Sequence, residues 1–487
     1  IFTNMSQFDD LFYDENDKNA PAIPNVIARE ILINGIIEKD DGRFEEVFSP
    51  IRRKGQVGKD DKIKIGEYVY CNKETALKAV ESAKLAYDKG VWPRMTPRER
   101  IEAVSNFAAG LKEKRKEIAE IIMWEICKNT AAAYKEVDRT VDYINDTIAE
   151  LKSLENKMTQ VVNNSGVVAQ IKRSPLGVVL VAAPYNYPIN ETFTTLIPAL
   201  IMGNTVVLKT PRTGGLCHMP LLALFRDCFP AGVVNILHGS GREVFSPIMS
   251  SGHVNVLAFI GSSKAAAALH TQHPRPFTVR LALGLDAKNP AFVLPSANLD
   301  VAVSECVKGA LSFCGQRCTA IKLIFVHESI ADTFVSRFSD AVDKLTFGLP
   351  WNGCDITPLA EESKPAYLEK LIEDCKAKGA KIVNKRGAAD RSLVFPSVVY
   401  PVSLDALAAQ EEQFGPLVPI VKYSSVSELE AYMKTTIFGQ QAAIFSTDQA
   451  SLPPLIDFLA HHVTRINLNS QCQRGPDIMP FSGRKCS

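Results

Sequence analysis

From Gly177 onward the chain alternates short apolar runs with helix-spaced segments, and few folds accommodate that alternation. Apolar runs lie at 178–182, 205–208, 233–237 and 254–260, separated by helical patterns at 192–202, 215–228 and 242–250. Strands joined through helices cannot close as tight hairpins, so they run parallel in a doubly wound sheet. A second alternation fills 291–448, with strands at 291–294, 323–326, 382–384, 418–423 and 442–445 and helices such as 365–378 and 426–434. The two units meet near 281–288, which predicts two α/β domains with a cleft between them. Sheets of this kind bind ligands at the carboxyl ends of their strands.

Before this region the pattern is mainly helical, at 74–89, 97–116 and 138–154. Extended stretches at 161–162 and 167–171 flank Asn163-Asn164-Ser165-Gly166, a predicted hairpin. The 487 residues suffice for two to four domains at roughly 150 residues each. Lys and Arg total 55 against 54 Asp and Glu, a net charge of +1, so no basic excess points to nucleic acid or an anionic membrane. Eleven cysteines without a CxxC pair read as reduced thiols of a cytoplasmic protein. Cys314 and Cys318 lack the further ligands of a zinc site, so no metal is predicted. Two uncharged stretches, 174–190 and 192–208, are separated only by Glu191. Pro, Gly and Asn interrupt both, and neither offers the ~20 apolar residues of a membrane span. The sequence begins at Ile1 rather than Met, which leaves any targeting segment before it out of view.

Chemistry concentrates at a few turns. Phe313-Cys314-Gly315-Gln316-Arg317-Cys318-Thr319-Ala320 sets a cysteine on a Gly-containing turn between a helix pattern and a strand. A neighbouring Arg317 guanidinium there favours the reactive thiolate of Cys318. Pro184-Tyr185-Asn186-Tyr187-Pro188 follows a strand, where the Asn186 amide is either an oxyanion donor or part of an Asx turn. Lys209, followed by Thr210 and Arg212, ends the next strand as a phosphate-binding cation or a solvated one. Gly239-Ser240-Gly241 has two glycines of a dinucleotide fingerprint, with Val244 in the third place. Ser262 heads a helix as a pyrophosphate contact or a plain N-cap. Glu412 and Phe414 precede a strand, as ribose and nicotinamide contacts or as surface and core residues. Arg474 sits on a Gly-Pro turn, as a phosphate ligand or a surface charge.

The order GVVLVAAPYNYP, GNTVVLKTP, AFIGS, FCGQRCTA and EEQFGPLVP resembles the aldehyde dehydrogenase superfamily from about Asn34 to Lys485. WEICK (124–128), DRTVDY (138–143) and SQCQRGPD (470–477) are similar to its non-phosphorylating glyceraldehyde-3-phosphate dehydrogenase branch. The resemblance implies an α/β fold with two doubly wound domains and a small β oligomerisation flap. It places the cofactor domain at 1–155 and 175–284, the catalytic domain at 285–464 and the bridging segments at 156–174 and 465–487. It implies NADP, a phosphorylated small aldehyde and a homo-oligomer, dimer or tetramer. Cys318 matches the nucleophile, and Asn186 with the Cys318 N–H matches the oxyanion donors. Lys209 matches the adenosine-ribose and 2′-phosphate ligand, Ser262 the pyrophosphate contact, and Glu412 and Phe414 the nicotinamide side. Thr210 and Arg212, with no carboxylate following, favour NADP over NAD. Arg139, Tyr187, Arg317 and Arg474 match the substrate-phosphate positions. The reaction implied is oxidation of glyceraldehyde 3-phosphate to 3-phosphoglycerate through a thiohemiacetal and a thioester, without inorganic phosphate.

Two features depart from that pattern. The superfamily's general-base glutamate falls on Gly284, or on Ala282 with a two-residue insertion, and neither takes a proton. Asp286 is the nearby carboxylate, two residues on and so on the same face if the strand continues. The chain also stops at Ser487, with Cys486 where an acidic residue is expected and the final oligomerisation strand of the relatives not reached. The alternatives are a catalytically impaired binding or assembly subunit and a dehydrogenase of another phosphorylated or acidic aldehyde.

Overall fold

A computed structural model describes residues 11–40, 42–55, 61–158, 161–385, 389–390 and 392–487. The first alternation becomes a seven-stranded sheet in the order Arg280–Gly284, Val254–Ile260, Val178–Ala182, Thr205–Lys209, Val234–Leu237, Glu30–Ile33, Ile36–Lys39. The first five of these strands are parallel. Glu30–Ile33 and Ile36–Lys39 form an antiparallel hairpin at the edge. Its turn residues Asn34 and Gly35 have φ of 53° and 73°, the left-handed pair a tight hairpin turn requires. Val178–Ala182, Thr205–Lys209 and Val234–Leu237 are buried at every position, which is why apolar residues dominate them, with Asn235 the one polar residue in their interiors. The chain leaves Val178–Ala182 toward Thr205–Lys209 and later returns to its other side with Val254–Ile260. That reversal opens a crevice at the carboxyl ends.

The second alternation gives another seven-stranded sheet, ordered Lys381–Ile382, Ser397–Tyr400, Leu417–Tyr423, Ile321–His327, Asn289–Val293, Gln441–Phe445, Arg465–Leu468. Only Lys381–Ile382 runs antiparallel to its neighbour. Arg465–Leu468, in the segment expected to bridge subunits, pairs with Gln441–Phe445 as the edge of this sheet. The predicted hairpin forms as Val161–Asn164 against Val167–Gln170.

Several elements differ from the sequence reading. The helix expected over 97–116 is two, Pro97–Glu113 and Arg115–Ile126, because Lys114 leaves helical geometry at ψ 3°. Thr96 and Glu99 start the first with reciprocal capping bonds. The segment read as a domain joint contains the strand Arg280–Gly284, whose outer position and part-exposed residues gave it no buried apolar run. Val26–Ala28, Lys62–Tyr70 and Arg43–Arg52 form a separate three-stranded sheet, unrecognised because charged residues interrupt its strands. No helix among the described residues is long and apolar enough to cross a membrane.

Helix Arg115–Ile126 carries a buried carboxyl group that ties it to the segment following strand Thr205–Lys209. Glu125 accepts the Gly215 N–H at 2.9 Å and the Leu216 N–H at 3.0 Å, just beyond Arg212. Burial raises its pKa from 4.5 to about 8 against the pull of those amides. The folded state therefore holds a proton that the unfolded state has released between pH 4.5 and 8. Stability should fall as pH rises through that window, by at most about 1.4 kcal/mol per pH unit. Urea unfolding of the Glu125→Gln variant across pH 5–8 should show a flatter profile than the wild type.

Candidate active site

The carboxyl ends of the first sheet face the amino ends of the second across a cleft of about 2040 Å³. That exceeds the ~300–1,000 Å³ of a pocket for one drug-sized ligand, and leaves room for a dinucleotide beside a substrate. The first sheet lines it with Ala182–Asn186, Lys209, Arg212, Ser262 and Gly284–Asp286, and the second with Cys318, Glu412 and Phe414.

Cys318 lies between helix Leu299–Leu311 and strand Ile321–His327. Phe313, Cys314 and Gly315 all have positive φ, at 50°, 54° and 71°, so the chain turns sharply out of the helix. A Cβ on Gly315 would stand 2.5 Å from the Gly415 carbonyl oxygen, so the cysteine turn and the Phe414 turn meet backbone to backbone. The carbonyl of Cys318 accepts from Asn289 Nδ2 and from Lys322 Nζ, both at 2.8 Å. Its N–H has no protein acceptor among the described residues and is free to donate. The thiol faces the cleft. Burial, with Glu191 adding to it, pushes the thiol up to about 11 despite the opposing charges of Lys322 and Arg474. Arg317 does not supply the favourable cation expected of it. Its guanidinium turns back to the Gly309 carbonyl at 2.8 Å and the Lys308 carbonyl at 3.3 Å, in the last turn of helix Leu299–Leu311.

Asn186 also reaches the cleft, and its Nδ2 donates to the Gln316 carbonyl at 2.9 Å, joining the two loops. Beneath it lies a buried ion pair. Lys128 Nζ bonds Glu136 and donates to the Asn186 carbonyl at 2.7 Å. Glu136 Oε1 accepts the Ile189 and Asn190 N–H groups at 3.0 and 3.2 Å. Tyr187, expected at a substrate phosphate, covers this ammonium with its ring centroid 3.6 Å away and does not line the cleft.

On the first sheet's side of the cleft, Lys209 is buried with no carboxylate partner among the described residues. Burial and the nearby Arg212 lower its pKa to about 8. Thr210 is unavailable to a ligand, since its hydroxyl bonds Tyr68 Oη at 2.8 Å and His238 Nδ1 at 2.7 Å in the core. Arg212 borders the cleft, paired with Glu45 at 2.8 Å. That carboxylate comes from a strand remote in sequence, and the local sequence did not show it. Ser262 caps helix Ser263–Gln272 through the Ala265 N–H at 3.3 Å while also lining the cleft. Ser240 likewise caps Gly241–Ser250, so Gly239-Ser240-Gly241 is a helix entry. Glu412 pairs with Lys322 at 2.9 Å, and Phe414, at φ 44°, packs 5.8 Å from the Tyr185 ring.

The arginines expected around a phosphate are already engaged. Arg139, on helix Thr130–Met158, makes a two-point pair with Asp477 at 2.6 and 2.7 Å. Arg474 meets Glu191 at 2.5 Å and Asp477 at 3.5 Å. None of Arg139, Arg317 and Arg474 lines the cleft directly. Asp286 also departs from expectation. The strand ends at Gly284, so the same-face argument lapses, and Asp286 accepts the Ser263 N–H at 2.7 Å at the helix entry. A Cβ at Gly284 would meet nothing closer than 3.5 Å, so no crowding requires glycine there.

Sequence reasoning missed Lys128, Glu136, Glu191, Asn289 and Lys322. Lys322, a charge inside an apolar strand, was a readable signal. Replacing Lys128 by Met strands a buried carboxylate and should cost ~3–5 kcal/mol. Adding Glu136→Gln, which keeps an acceptor for the two amides, should recover much of that loss in urea denaturation.

Sequence comparison agrees with this geometry. Residues 56–487 match the model of the aldehyde dehydrogenase family. The NADP-dependent glyceraldehyde-3-phosphate dehydrogenase of Streptococcus equinus is 34% identical over 431 residues, covering 86% of this chain and 86% of the relative. The lactaldehyde dehydrogenase of Methanocaldococcus jannaschii is 28% identical over 422 residues, covering 85% and 88%. The crystal structure of NADP-dependent glyceraldehyde-3-phosphate dehydrogenase from Bacillus halodurans C-125 complexed with NADP superposes with a TM-score of 0.86 at 29% identity, over 95% of this chain and 94% of that one. With the paired sheets, the shared cleft and the cysteine turn between them, the chain belongs to the aldehyde dehydrogenase family.

Proposed function

We propose that the protein oxidises a small aldehyde with NADP through Cys318, and that glyceraldehyde 3-phosphate is the substrate. The observation that carries the reading is a thiol lining the cleft whose own N–H has no acceptor among the described residues, with the Asn186 amide brought to it from the other sheet by its bond to the Gln316 carbonyl. The Cys318 sulfur attacks the aldehyde carbon, and the Cys318 N–H and Asn186 Nδ2 hold the oxygen as it gains charge. Bound NADP supplies the hydride acceptor that turns a thiohemiacetal into a thioester. Lys209 and Arg212 fit a 2′-phosphate, because a buried ammonium without a carboxylate partner favours a bound anion. Ser262, Glu412 and Phe414 are assigned the pyrophosphate and nicotinamide side. A homo-oligomer belongs to this reading, with the exposed Val167, Val168 and Ile171 of the hairpin region as its contact.

The names of the relatives support glyceraldehyde 3-phosphate. The charges favour a second reading, because Arg139 and Arg474 are balanced by Asp477 and Glu191. A phosphate must displace a carboxylate from a guanidinium to bind there, whereas an uncharged aldehyde need not. Rates of NADP⁺ reduction with glyceraldehyde 3-phosphate and with glyceraldehyde separate the two. A preference of ~10²-fold or more in kcat/KM for the phosphate ester supports the first. Equal values support the second.

Lys209→Ala should raise KM for NADP⁺ by about tenfold or more, roughly one lost charged contact, and affect NAD⁺ much less. In the free protein, alkylation of Cys318 by iodoacetamide should rise about tenfold per pH unit from pH 7 to 9, because its thiol pKa lies near 11. Cys318→Ser should lose both this labelling and the oxidation.

A further inference from the structure

We infer that Glu191 is the general base that activates water to hydrolyse the Cys318 thioester, a role resting on the aldehyde oxidation proposed above. Hydrolysis needs a proton acceptor at the thiol end of the cleft. No histidine lines the cleft, so the acceptor is sought among its carboxylates. Asp286 accepts the Ser263 N–H at the entry of helix Ser263–Gln272 and is not among the main charges acting on the Cys318 thiol. Glu412 acts on that thiol less than Glu191 does, and its Oε1 is shared between the Lys322 ammonium, at 2.9 Å, and the Ala287 N–H, at 3.2 Å. Glu191 stands in the first turn of helix Asn190–Ile201, directly after the loop that carries Asn186, and lines the cleft with Asn186 and Cys318. Arg474 Nη1 holds its Oε2 at 2.5 Å. Its Oε1 has no protein partner among the described residues. A carboxylate gripped by one oxygen and open at the other is oriented to take a proton from a cleft water. Its charge also bears on the sulfur, adding to burial in raising the Cys318 thiol.

In the step itself, the water oxygen bonds to the thioester carbon as one water proton passes to Glu191 Oε1. The carbonyl pair moves onto oxygen, where the Cys318 N–H and Asn186 hold it. As that pair returns, the carbon–sulfur bond breaks and its electrons leave on the Cys318 sulfur. The carboxylic acid departs, and Glu191 returns its proton to solvent. Arg474 is then a positioning residue, setting the carboxylate and balancing its charge.

The test uses the full chain with NADP⁺ and aldehyde in rapid mixing, comparing wild type, Glu191→Gln and Asp286→Asn. Glu191→Gln should form one equivalent of NADPH per site in a burst and then turn over ~10²–10⁴-fold more slowly. Intact mass should show an acyl adduct on the quenched Glu191→Gln variant, absent from Asp286→Asn, and hydroxylamine should release it and restore turnover. Glu191→Asp, which retains a carboxylate, should hydrolyse at an intermediate rate and guards against a folding defect. The inference is overturned if Glu191→Gln turns over within about threefold of wild type without an adduct. It is also overturned if Glu191→Gln loses the burst itself while Glu191→Asp behaves as wild type, or if the adduct builds up in Asp286→Asn instead. A wild type that reduces no NADP⁺ with any aldehyde sinks the proposed function itself, an outcome distinct from these.

Discussion

Two donors converge on one carbonyl oxygen: Asn289 Nδ2 and Lys322 Nζ both hold the Cys318 carbonyl at 2.8 Å. A peptide unit is planar, so fixing the carbonyls on either side of a residue also fixes the direction of its N–H. Lys322 Nζ takes the Arg317 carbonyl as well, at 2.8 Å, and so pins both peptides flanking Cys318. Its ammonium is buried and neutralised by Glu412, which carries the hold across to the Phe414 turn. The close approach of Gly315 and Gly415 completes the same frame. The cysteine is thus placed by buried charge and by backbone contact, and the reactive end of the cleft takes its shape from that frame.

Charge in the cleft is distributed in a way the local sequence did not suggest. On the first sheet's side of the cleft the buried Lys209 has no carboxylate partner among the described residues, while Arg139 and Arg474 each have one. An uncompensated buried cation is an anion site in waiting, and a compensated guanidinium is an orienting group. The same physics suits Lys209 to the cofactor phosphate proposed for it and holds Arg474 on Glu191. Beneath the Asn186 loop, the Lys128–Glu136 pair is enclosed and its remaining valences are spent on backbone groups at the entry of helix Asn190–Ile201. That arrangement fixes the loop more firmly than a solvated pair would.

The fold was largely legible because a buried parallel strand leaves a compact signature. The bounds expected for Val178–Ala182 and Val254–Ile260 are those observed, and the other strands read in the two alternations shift by one or two residues. Arg280–Gly284 was not legible, since an outer strand keeps exposed polar positions. The site divides similarly. Cys318, Asn186 and Ser262 each stand on a turn beside a strand and Lys209 ends one, and such junctions carry strong local signals. Thr210 and Arg317 have the same kind of local context but turn into the core and onto a helix end. Neighbours in sequence need not share a direction, and only packing decides it.

The sequence by itself determined the alternation of strands and helices, the cysteine turn and the lack of a proton acceptor at Gly284 and Ala282. It also marked Glu191 as the one charge in a long uncharged stretch, without indicating what faces it. The tertiary structure alone decided that Arg474, 283 residues further on, would meet that carboxylate, that Asp286 would cap a helix, and that Arg139 would pair with Asp477. The division has a physical reason. Periodicity and turn propensity act over a few residues, whereas the charge balance of a cleft depends on groups that chain closure brings together from its two ends.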